Sequence, residues 1–77
     1  IDLIARKGTL VAFVEVKWRA HAAALADAID ERRLTRVAAA AEIIAYDYAA
    51  PDDDLRIDVI LLAPGCPPTH IENAYQP

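Results

Sequence analysis

The sequence predicts a single α/β domain: a mixed sheet of about four strands with one long helix on one face. Three observations carry this. Two strand-like runs flank a glycine near the start, apolar residues recur at helical spacing from Glu31 to about Ala49, and a nearly unbroken apolar run follows from Leu55 to Ala63. Strand, helix and strand in that order imply a parallel pair joined by a helical crossover. The expected order is therefore β-hairpin, helix, strand, edge strand.

The hairpin comes first. Residues 1–6 read Ile1-Asp2-Leu3-Ile4-Ala5-Arg6, and residues 9–17 run from Thr9 to Lys17 with Val11, Phe13, Val14 and Val16 among them. β-Branched and aromatic residues suit a pleated, half-buried surface. Lys7-Gly8 is the expected turn, because glycine accepts the positive φ that a tight hairpin demands. Arg6 then faces Thr9, and Asp2 faces Phe13. Paired residues point to one side and side chains alternate along a strand. Asp2 thus shares a face with Phe13, Glu15 and Lys17. Asp2 and Glu15 become diagonal neighbours with backbones roughly 7–8 Å apart.

The middle of the chain is helical. Ala22 to Ile29 is alanine-rich and suits a short helical turn. Asp30 is the natural N-cap of the helix that begins at Glu31. Its stripe of Leu34, Val37, Ala38, Ala41, Ile44, Ala45 and Tyr48 should pack on the sheet, and the helix should stop before Pro51. Leu55 to Ala63 is the next strand, laid beside the Glu15 strand. Thr69 to Tyr75 sets Ile71, Asn73 and Tyr75 against His70, Glu72 and Ala74 and reads as a last edge strand.

Composition sets bounds. A chain of 77 residues makes one small domain with a modest core. Cys66 is the single cysteine, so no internal disulfide forms, and its Pro-Gly loop offers no catalytic partner. No apolar stretch nears the roughly 20 residues that span a bilayer. No signal peptide is visible, so a reducing cytoplasm and no membrane are expected. A net charge of −4 speaks against a general nucleic-acid binder. The charge is uneven, however. Asp52-Asp53-Asp54 forms an acidic loop, whereas Lys17, Arg19, Arg32, Arg33 and Arg36 gather in sequence. A local basic stripe beside an acidic site is compatible with phosphate binding.

The chemistry-bearing pattern is Asp2 followed, a hairpin later, by Glu15-Val16-Lys17. Two carboxylates can hold a Mg²⁺ ion, and an ammonium beside them can steady an attacking water and the charge building on phosphorus. The plain alternative is a solvated Glu–Lys ion pair, worth little. A strand apolar on both sides is usually buried, and charges at its mouth call for a reason. Several other residues have two readings. Asp58 is either an accessory acid or a structural partner of Arg56 or a helix arginine, with the second favoured. His70 is a ligand or, more simply, solvent-facing. Trp18 stacks on a base or, more simply, is half-buried under a helix. Arg32, Arg33 and Arg36 oppose the helix dipole, which invites either phosphate contact or mere exposure, with the second favoured.

These segments resemble the YraN-like family of bacterial proteins. The likeness lies in Ile1-Asp2-Leu3-Ile4-Ala5-Arg6, Val14-Glu15-Val16-Lys17, Arg56-Ile57-Asp58-Val59 and His70-Ile71-Glu72-Asn73-Ala74-Tyr75. It covers most of the chain and is weakest between residues 20 and 30. The family is similar to Holliday-junction resolvases of the PD-(D/E)xK nuclease-like superfamily. The resemblance therefore implies a restriction-endonuclease-like sheet over residues 1–77. It implies a metal-dependent DNA-processing nuclease with Asp2, Glu15 and Lys17 as catalytic residues. Asp2 and Glu15 would hold Mg²⁺ or Mn²⁺. The resemblance implies DNA, including branched DNA, as partner and a homodimer; Arg19, Arg32, Arg33 and Arg36 are candidate DNA contacts on their clustering alone. The alternative is a non-catalytic nucleic-acid-binding or dimerisation module on the same fold. The family begins with a helix and a Gly-Glu ahead of the Ile-Asp, and both are missing before Ile1. The 77 residues are therefore expected to be a piece of a longer chain.

Overall fold

A computed structural model describes residues 1–75, the side chains of residues 26 and 27 excepted. The elements are β1 (Leu3–Lys7), β2 (Leu10–Trp18), a short 3-10 helix (Ala22–Asp27), α1 (Glu31–Tyr48), β3 (Asp54–Leu62) and β4 (Thr69–Ile71). They form the expected mixed sheet, with strands in the order β1-β2-β3-β4. β2 and β3 are parallel, whereas the two outer pairs are antiparallel. Asp30 caps α1 by accepting a 2.9 Å hydrogen bond from the Arg32 N–H. The helix ends at Tyr48, ahead of Ala49-Ala50-Pro51.

The hairpin register differs from the expected one. Lys7 stays in the ladder opposite Leu10, and the turn is Gly8-Thr9, with Gly8 at φ 60°. Phe13 therefore lies opposite Ile4 rather than Asp2, and Arg6 lies opposite Val11 rather than Thr9. A glycine serves equally as the first or second turn residue, so the sequence left both turns open. The slip is by two, an even number, so the side chains of Leu3 to Lys7 keep their faces.

The core lies between α1 and one face of the sheet. Val11 and Phe13 of β2 meet Ile57, Val59 and Leu61 of β3 beneath Leu34, Val37 and Ala41 of α1. The register sets Phe13 beside Ile57 and Glu15 beside Val59, so Glu15 also belongs to the helix-covered face. Val14 is paired with Asp58 on the opposite face. There Leu3, Ala5, Ala12, Val14 and Ile60 line a groove of about 410 Å³ that no described element covers.

Two further expectations need correcting. Trp18 is not tucked under a helix but is 59% exposed, because it shares the parity of Val14 and Val16 and so faces away from α1. The edge strand stops at Ile71 instead of continuing to Tyr75. Asn73 adopts a left-handed φ of 52°, and its N–H turns inward to donate to Asp58. The Ala74 N–H then bonds the Ile57 carbonyl, folding the chain back on β3.

Candidate functional site

Glu15 is the centre of the site. It stands near the carboxyl end of β2, where crevices of parallel sheets commonly receive ligands. Only 2% of its surface is exposed. A buried carboxylate needs cationic partners, and three surround this one. The Ile1 amino group lies 3.0 Å from Oε1, while Lys17 Nζ and Arg33 Nη2 each lie 3.3 Å from Oε2. In a longer chain the Ile1 nitrogen would be an amide, which still donates a hydrogen bond but carries no charge. Burial pushes the Glu15 carboxyl up, but hydrogen bonds from the Ile1 amino group and Lys17 outweigh it, leaving the group below the usual range.

Lys17 lies on the same strand two residues on, its side chain 17% exposed. Arg33 reaches across from the first turn of α1. Its side chain is 54% exposed, so its guanidinium has one edge on Glu15 and another toward solvent. No sequence signal links residues 15 and 33; the helix crossover alone brings them together.

Asp2 lies just before β1, in the open. Its N–H donates to the Val14 carbonyl, and its Oδ2 accepts the Val16 N–H at 2.8 Å. This carboxylate therefore sits against the backbone between Glu15 and Lys17, on the edge where β1 gives out. Among the described residues, no group of three or more His, Cys, Asp or Glu side chains converges to hold a metal. The candidate acidic donors for this site among the described residues are Asp2 and Glu15, and Asp2 Oδ2 is held by the Val16 N–H. Two carboxylates suit Mg²⁺, which binds through one or two carboxylates and completes its shell with water and phosphate oxygens.

The remaining basic residues divide. Arg19 is half-buried at the end of β2; its N–H pairs with the Leu62 carbonyl, and its guanidinium with the Trp18 carbonyl at 2.9 Å. Arg32 and Arg36 are exposed on α1. Arg33 alone of the helix arginines contacts the Glu15 cluster.

Asp58 lies across the sheet from Glu15, in its own network. Arg56 grips it with two hydrogen bonds of 2.7 and 2.9 Å, His70 Nε2 lies at 2.8 Å, and the Asn73 N–H donates at 3.0 Å. Burial raises its pKa, but these bonds, led by Arg56, hold the carboxyl below the usual range. The structural reading of Asp58 is the correct one for Arg56. His70, which the sequence left as a ligand or a free side chain, is a second partner.

Comparison with known proteins agrees with the resemblance at the family level. The sequence model of Uncharacterised protein family UPF0102 matches residues 1–62. A UPF0102 protein of Erythrobacter litoralis is 69% identical over 77 residues, covering 100% of this chain and 66% of that protein. One from Sphingopyxis alaskensis is 58% identical over the same span, again 66% of its length. One from Rhizorhabdus wittichii is 53% identical over 75 residues, 64% of its length. The chain thus spans about two-thirds of these relatives. On the family match and these identities, the chain belongs to the UPF0102 family.

Proposed function

We propose that this protein is a metal-dependent phosphodiester hydrolase acting on DNA, of the nuclease-like resolvase type. The observation that carries the reading is the buried Glu15 carboxylate with Lys17 Nζ 3.3 Å away and the Asp2 carboxylate anchored on the intervening Val16 N–H. Asp2 and Glu15 would hold Mg²⁺ or Mn²⁺. Such an ion, when bound, supplies an acidified water and polarises the phosphoryl oxygens.

The chain's own groups do the rest. With Glu15 committed to such an ion, Lys17 and Arg33 would no longer be tied to Oε2. The Lys17 ammonium is then placed to stabilise charge on a phosphoryl oxygen and to orient the water. The Arg33 fork suits a flanking phosphate, since guanidinium binds such oxygens in pairs. Arg19 extends the basic side of the site. The N-terminus of α1 adds its dipole on the same side.

A second reading is favoured by one observation: Glu15 already has two side-chain cations of the chain itself, Lys17 and Arg33, each 3.3 Å from Oε2. This describes a nuclease-like fold that binds nucleic acid or dimerises without turnover. Incubating the full-length protein with linear and branched DNA, in Mg²⁺ or EDTA, separates the two. The hydrolase reading expects cleavage that needs the metal and falls about 100-fold or more in Lys17→Ala. Binding without cleavage at any metal concentration would leave only the second reading.

A further inference from the structure

The outward side of α1 carries a stripe that neither the core nor the Glu15 site uses. Ala39 and Ala40 are exposed, Ile43 is 75% exposed and Tyr46 is 93% exposed. At roughly 100° per residue, these share a face with Arg32, Arg36 and Asp47. That face lies opposite the buried Leu34, Val37 and Ala41. A lone apolar side chain on a surface means little, but a stripe two turns long is unusual.

The stripe is also polarised along its length, with Arg32 and Arg36 at the amino end and Asp47 at the carboxyl end. Each sign is the wrong one for its own helix, because cations disfavour the positive end of the dipole and anions the negative end. The last turn carries no basic residue to offset this. An antiparallel neighbour of the same sequence would reverse both mismatches.

We infer that α1 is a self-complementary interface on which α1 of a second copy docks antiparallel about a two-fold axis. With the axis between Ala39 and Ala40, Arg32 lies level with the partner's Asp47, and Ile43 with the partner's Arg36. Each arginine then meets the carboxyl end of the opposite helix. The alanines at the crossing let the axes approach to about 8 Å, the close end of the usual range. Ile43 and Tyr46 flank that crossing, and the aliphatic stem of Arg36 can cover Ile43. A second copy is the occupant of choice because the face matches itself in charge and in size under the symmetry that isologous dimers require. The inference is independent of the hydrolase reading; it needs no metal and leaves Arg33 to Glu15.

The test is the association state of the full-length protein by sedimentation velocity over a micromolar concentration series. A reversible dimer is expected, weak because one helix pair is a small interface, and weaker in high salt. Arg32→Glu or Asp47→Arg alone should raise the dissociation constant about tenfold, and the two together should restore it to within about threefold. Arg32 and Asp47 stand about 22 Å apart along one helix, so rescue cannot arise inside one chain. Ile43→Lys should weaken the dimer at least as much while far-UV circular dichroism stays unchanged. A monomer at every concentration, a dimer indifferent to Ile43→Lys, or a double variant no tighter than the singles would overturn the inference.

Discussion

The two faces of the sheet each bury one carboxylate, and they treat it differently. Asp58 is 1% exposed and Glu15 2%. Asp58 receives directed bonds of 2.7–3.0 Å from a guanidinium fork, an imidazole and a backbone N–H. All come from β3, β4 or the turn that follows. Glu15 receives looser contacts of 3.0–3.3 Å from the chain's first nitrogen, its own strand and α1. Of those partners Arg33 is 54% exposed and reaches toward solvent, whereas Lys17 is largely covered. The difference separates a joint from a socket. Asp58 ties the short β4 strand to the sheet, whereas on the proposed reading Glu15 would exchange its cationic partners for a metal ion.

The largest expected effect breaks the joint. Removing one member of a buried ionic network typically costs 3–5 kcal/mol, because the charges left behind stay desolvated. Asp58→Ala should therefore lose about 3 kcal/mol in urea unfolding of the full-length protein. Glu15→Ala should lose less than half as much, since Lys17 and Arg33 return to water. Equal losses at the two positions would erase the distinction drawn between the faces.

Acid should act next. The Asp58 carboxyl titrates below its usual range when folded, so it stabilises the protein above its unfolded pKa, about 3.9. That stability is lost as pH falls through the lower folded value. Urea midpoints should accordingly drop below about pH 4, and drop less steeply in Asp58→Asn. Parallel slopes in wild type and variant would show that Asp58 does not carry the acid sensitivity.

The smallest effect concerns His70, whose side chain is 47% exposed. His70→Ala should cost about 1 kcal/mol, the ordinary worth of one hydrogen bond. It should also speed hydrogen exchange at the β3–β4 amides without altering those of β1. Unchanged exchange there would remove His70 from the joint.

The sequence reveals these two carboxylates unequally. The pairing of Asp58 with Arg56 is legible because residues two apart on a strand share a face. The common face of Glu15 and Lys17 is legible by parity; Asp2 lies outside the β1 ladder, with its carboxylate on the Val16 N–H at the sheet edge, which alternation along the strands does not reveal. The Arg33 contact is not legible, because it depends on how far α1 slides over the sheet. Nor is the end of β4 at Ile71, which is set by a left-handed Asn73 and its bond to Asp58. Trp18 was misjudged for a different reason. Its alternation was right, but the helix lies on the other side of the strand.

The claim at the centre is that Glu15 exchanges its protein cations for a metal ion. Calorimetric titration of the full-length protein with Mn²⁺ tests it most directly, with Glu15→Gln and Asp58→Asn alongside. The account predicts saturable binding in the wild type and in Asp58→Asn, and none in a folded Glu15→Gln. Absence of binding in the wild type, or equal binding in Glu15→Gln, would contradict it.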